Sequence, residues 1–80
     1  MNLTLKDVKP IENYNLILTF DNGERRRFDM NPFLSKGNFK ELREVSKFNT
    51  VRIDTDTIVW ENEADIEHSV LYKYSKVIDN

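Results

Sequence analysis

Hydrophobic and polar positions alternate most cleanly in NLILTF, residues 15–20, where Leu16, Leu18 and Phe20 share one side and predict a strand with a single buried face. Upstream, LTLKDV (3–8) is less regular. Leu3 and Leu5 agree in phase, Val8 falls one residue out of step, and the pattern predicts a strand that ends or bends before Pro10. RRRFDM carries Phe28 and Met30 at strand spacing, and VRI (51–53) with TIVW (57–60) predicts a hairpin about Asp54-Thr55-Asp56. Helical periods appear later. Asn31-Pro32 reads as an N-cap and first helical position of one turn through Phe33 and Leu34, stopped by Gly37. Asn38 and Glu41 then have the spacing of a capping box, followed by Phe39, Leu42 and Val45 at helical intervals before Phe48. Val70, Leu71, Tyr74, Val77 and Ile78 form a stripe that predicts a C-terminal helix. The order βββ, short α, α, ββ, α gives an α+β class, with a small, mostly antiparallel sheet and the helices packed on one face.

The turn FDNGE decides where three consecutive arginines point. A two-residue Asn22-Gly23 loop would set Phe20 against Arg25 and Leu18 against Arg27, opposing apolar and charged faces. A three-residue loop, Asp21-Asn22-Gly23 with Gly23 left-handed, pairs Phe20 with Glu24, Leu18 with Arg26 and Leu16 with Phe28. The second register keeps Leu16, Leu18, Phe20, Phe28 and Met30 on one buried face. Arg25 and Arg27 then face outward beside Thr19 and Ile17, and Arg26, near the hairpin end of the inner face, is expected to snorkel to water.

Eighty residues, 39% of them hydrophobic, suffice for one domain over 1–80 with a thin core. The absence of cysteine excludes a disulfide framework, a thiolate zinc site and a cysteine nucleophile, and it fits a reducing, cytoplasmic address. The start MNLTLKDVKP lacks the basic and apolar runs of a signal peptide, and no segment has the length of a membrane span. The formal charge of −2 conceals a polarity. Residues 24–52 hold eight Lys/Arg against four Asp/Glu, a net of +4, while residues 53–80 hold two against seven, a net of −5. Either the fold mixes these halves so that their fields cancel, or it leaves a bipolar surface that orients a partner.

Candidate chemistry is sparse. His68 and Ser69 are neighbours that diverge by about 100° on a helix, so no serine nucleophile is built with this base. Asp65, Glu67 and His68 lack the spacing that stacks metal ligands, and the two acids read instead as capping a helix start. The stretch TIVWENEADIEHSV therefore reads as a strand-to-helix corner, with Asn62 in the turn and Trp60 covering the core edge. Phosphate-loop, nucleophile-elbow, zincin and dinucleotide motifs are all missing, since Gly23 and Gly37 are the only glycines. No enzyme and no cofactor is expected. Arg25 and Arg27, about 6 to 7 Å apart on one strand face, are the best phosphate contacts, with Lys36, Lys40, Arg43 and Lys47 as a possible basic helix stripe.

The segments NLILTFDNGERRRFDMNPFL, FKELREVSKFNTVRID and TIVWENEADIEHSVLY together resemble the bacterial family domain of unknown function 2442, over nearly the whole chain. The resemblance rests on Phe20, Asn22, Gly23, Trp60, Asn62, Ala64, Asp65, Leu71 and Tyr72. It departs at Glu63, where members usually carry glycine, and at His68, where they usually carry a helix-starting proline. It implies a small α+β fold without established enzymatic activity, with some relatives fused to helix-turn-helix domains and some encoded beside another small protein in a toxin-antitoxin-like arrangement. The expectation is a non-catalytic interaction or regulatory module, antitoxin-like, binding a small protein partner through Arg25, Arg27, Trp60, Asn62 and Asp65 or an exposed strand edge. The alternative is a nucleic-acid-binding accessory domain, and no membrane association is expected.

Overall fold

Leu5, Val8 and Pro10 all face inward in the first strand, although their spacing breaks the two-residue period. A computed structural model, which describes residues 4–78, gives the reason. Strand β1 (Leu5–Ile11) pairs antiparallel with β2 (Asn15–Phe20), and a bulge between Leu5 and Asp7 lets Leu5 oppose Phe20 while Val8 opposes Leu18. The strand does not end before Pro10, as its sequence suggests. It continues to Ile11 because β1 is an edge strand, where a missing N–H costs no ladder bond. Leu3 lies outside the described residues. The return to β2 uses two successive left-handed residues, Asn13 (φ 61) and Tyr14 (φ 58). Asparagine tolerates that region; Tyr14 is held there by its hydroxyl, which donates to the Arg43 carbonyl, and by its ring edge-on to Phe48 at 5.4 Å.

The next hairpin follows the three-residue register. Leu16 opposes Phe28 and Leu18 opposes Arg26 in β3 (Arg25–Asp29), Gly23 sits at φ +89, and Phe20 donates to the Glu24 carbonyl at 2.9 Å. Leu16, Leu18, Phe20, Phe28 and Met30 are all fully buried, each contributing about 1.5 to 3 kcal/mol of apolar burial.

The helical middle is less regular than its periodicity. Asn31–Phe33 is one 3₁₀ turn, but Asn31 does not cap it; the Asn31 side chain donates to Asn13 and Asp29 instead. Gly37 does not stop that turn but opens a 3₁₀ helix, Gly37–Arg43, followed after an extended Glu44 by the four-residue helix α1 (Val45–Phe48). No capping box forms at Asn38. The break at Glu44 turns Val45 out to 58% exposure and prevents Lys36, Lys40, Arg43 and Lys47 from sharing one helical stripe.

Strands β4 (Arg52–Asp54) and β5 (Thr57–Val59) pair about Thr55-Asp56, and a further strand, β6 (Asp65–Glu67), pairs with β5. The sequence reading missed β6, assigning its acids to a helix start. Helix α2 (His68–Tyr74) ends at Ser75, so Val77 and Ile78 do not extend its stripe; Lys76–Val77 form β7 against β3. The strands thus divide into two antiparallel sheets, β1-β2-β3-β7 and β4-β5-β6, in an α+β fold. A run of ring contacts, Phe28–Phe33–Phe39–Trp60–Phe48–Tyr14, joins the inner face of the first sheet to the second.

Candidate functional site

Arg25, Arg26 and Arg27 are separated by strand alternation into two roles. Arg26 points inward with its side chain only 12% exposed, and it does not snorkel. Its guanidinium lies 4.1 Å from the Tyr72 ring centre, donates from Nε to Ser75 Oγ at 2.7 Å, reaches the Tyr72 and Ser75 carbonyls at 3.3 and 3.2 Å, and pairs with Glu24 at 2.8 Å. Arg26 thereby satisfies carbonyls at the C-terminus of α2, the end where a cation is favoured. Nothing in the sequence pattern names this role except the fact that an arginine falls on a buried strand face.

Arg25 and Arg27 are exposed on the opposite face. The registers place Lys9, Ile17, Arg27 and Lys76 opposite one another across all four strands, and Asp7, Thr19 and Arg25 in the adjoining row. Three of the four residues in the first row are exposed cations around a half-buried isoleucine. Arg27 is oriented from below. Its Nε donates to Asn15 Oδ1 at 2.9 Å, and the buried Asn15 in turn donates to the Asn13 carbonyl at 2.8 Å and approaches Asp29 Oδ1 at 3.4 Å. Asn31 completes the network by donating from its backbone and side chain to Asp29 Oδ1 at 3.0 and 2.7 Å. An open cavity of about 510 Å³ lies here, lined by Asn13, Asn15, Arg27, Asp29, Asn31, Tyr74 and Lys76. Such a lining offers fixed hydrogen-bonding groups and cations, which suits recognition of anionic or amide groups.

The Trp60 corner is a hairpin rather than a strand-to-helix junction. Trp60 donates to the Ala64 carbonyl at 2.9 Å, Glu63 to the Trp60 carbonyl at 2.9 Å, and Ala64 to Asn62 Oδ1 at 3.1 Å. The first hairpin repeats the same pattern: Phe20 to Glu24 at 2.9 Å, Gly23 to Phe20 at 3.0 Å, Glu24 to Asn22 Oδ1 at 3.0 Å. Glu63, at φ +70, occupies the left-handed position that Gly23 holds. Aligning FDNGE with WENEA would have shown this second turn, and β6 after it, in the sequence.

Of the remaining residues predicted to bind, Trp60 is fully buried, with its indole N–H donating to the Phe48 carbonyl at 3.0 Å, so it holds the corner and offers no surface. Asn62 is engaged within the chain, its Nδ2 donating to the Asn38 carbonyl at 2.9 Å. Asp65 is exposed on β6. The five residues therefore do not converge: two lie on the outer face of the first sheet and three in the hairpin of the second. The charge polarity of the sequence persists, with Glu61, Glu63, Asp65 and Glu67 all exposed on that second hairpin. Among the described residues, no group of three or more His, Cys, Asp or Glu is placed to hold a metal ion. Among them, too, no helix is long and apolar enough to cross a membrane.

A family model described as "Protein of unknown function (DUF2442)" matches residues 5–77. No curated protein and no solved structure matches the chain.

Proposed function

Because the chain belongs to this family, whose description carries no activity, we propose its role from its surfaces: a non-catalytic, antitoxin-like interaction module that binds a small protein partner. The observation that carries this reading is the in-register row Lys9–Ile17–Arg27–Lys76 on the outer face of the first sheet. An apolar residue flanked by exposed cations matches an acidic partner surface with an apolar centre, and the Asn15 bond holds Arg27 ready at little further cost in side-chain freedom. Charge of this kind selects the partner and speeds encounter more than it adds affinity. A cysteine-free chain suits a reducing, cytoplasmic setting.

The test is affinity capture of the tagged chain from its native cell, with partners identified by mass spectrometry. A single specific small partner is expected, lost on R25E/R27E while the variant still folds, as read by far-ultraviolet circular dichroism. Recovery of no specific partner, or of one indifferent to both arginines, refutes the reading.

One observation favours a second reading. Tyr74, 61% exposed, lines the same cavity as Arg27 and Lys76, and an aromatic ring among cations is how single-stranded nucleic acid is held. That reading expects affinity for an oligonucleotide that falls steeply with salt and is weakened by Y74A and R27E together.

A further inference from the structure

The second sheet ends on β6, which pairs with β5 alone among the described residues. Trp60 donates to Ala64 and His68 to Asp56. By the alternation of an antiparallel ladder, these bonds assign Ile66 to the bonded pair with Ile58 and turn the backbone N–H and C=O groups of Asp65 and Glu67 away from β5. All three β6 residues line an open cavity of about 410 Å³ whose far wall is Phe33, Phe39 and Val70. A second cavity of about 260 Å³ adjoins it through Phe39 and Asp65, reaching Lys36 and Glu63. The side chains of Asp65 and Glu67 are exposed on one face, with Glu67 Oε1 accepting from Ser69 Oγ at 2.6 Å, while Ile66 is buried on the other.

We propose that this edge and cavity form a docking site for an extended peptide strand of a partner protein, with the pattern basic–apolar–basic. An added antiparallel strand takes its main-chain bonds from Asp65 and Glu67. The two residues opposite them lie on the acidic face, where opposite charges are favoured across strands, and the residue between enters the cavity among Phe33, Phe39 and Val70. Two copies of this chain pairing through β6 would bring Asp65 and Glu67 against their own kind, so the acids act against self-association. The site is separate from the basic face of the first sheet and does not depend on it.

The probe is a fluorescein-labelled heptapeptide with an arginine–valine–arginine core, titrated against the full chain by anisotropy. Saturable binding is expected, weakened by about tenfold or more when both arginine backbone nitrogens are methylated, a change that keeps the charges and removes the strand donors. D65K/E67K, at exposed positions, is expected to prefer the glutamate–valine–glutamate peptide instead, and R25E/R27E to bind the arginine peptide as the parent does. Equal binding of the methylated peptide, or no saturable change up to about 1 mM, overturns the proposal. So does concentration-dependent dimerisation abolished by E67P, which removes an outward N–H at a φ of −79 that proline accepts and would assign the edge to a second copy. Failure of the outer-face reading appears separately, as indifference of the captured partner to R25E/R27E.

Discussion

Glu63 holds φ +70 in a loop whose counterpart in the first hairpin is Gly23. A side chain there costs about 1 to 2 kcal/mol, part of which glycine returns as lost chain entropy. E63G is therefore expected to stabilise the fold by about 1 kcal/mol, read as a melting temperature about 4 to 8 °C higher. G23A is expected to do the reverse by a similar amount. Nothing lies within 4 Å of a Cβ built at Gly23, so its cost is conformational and not a clash. The glycine that the family resemblance leads one to expect at position 63 would suit this backbone. His68 is a different case. Its N–H donates to the Asp56 carbonyl at 3.0 Å, so H68P would remove a bond linking the start of α2 to the second sheet, and amide exchange near Asp56 is expected to quicken.

Helix α2 spans seven residues, too few to persist alone, and it is retained by what it docks against. Leu71 is fully buried, Tyr72 meets Phe20 edge-on at 5.3 Å, and Arg26 binds its terminal carbonyls. R26M is expected to cost about 3 kcal/mol, because Glu24 and the helix-end carbonyls lose their donors, and to loosen α2 and β7 before the rest in hydrogen exchange. Elements with a strict period and a bounded turn were legible from sequence: the pairing of Leu16 with Phe28 and Leu18 with Arg26 follows from the Gly23 loop once the apolar faces are kept together. Elements governed by long-range contacts were not. Val77 and Ile78 fit a helical stripe, yet the Ile78 N–H donates to the Arg25 carbonyl, and pairing with β3 overrides the local period. Asp65 to Glu67 looked like a helix start because a three-residue strand alternates too briefly to announce itself. The outward arginines were legible; the Asn15 bond that orients Arg27 was not, since it joins residues on different strands.

At the scale of the whole molecule, two small sheets share one core, and Trp60 lies where they meet, fully buried between Phe39 and Phe48 at ring distances of 6.1 and 6.3 Å. W60A is expected to cost about 3 to 5 kcal/mol and to unfold much of the population, so loss of partner capture in that variant would report stability and not contact. Because the rings couple the sheets, denaturant should unfold both together, with far-ultraviolet circular dichroism and tryptophan emission giving coincident midpoints. Separate midpoints would show that the sheets unfold independently.

That single indole also supplies the chain with a built-in optical gauge. With its N–H fixed to the Phe48 carbonyl and its ring fully buried, its fluorescence begins at short wavelength and moves to the red when the junction opens. Ligands seated on the outer arginine face or along the β6 edge can therefore be scored for stabilisation by intrinsic emission, without attaching a dye at either surface.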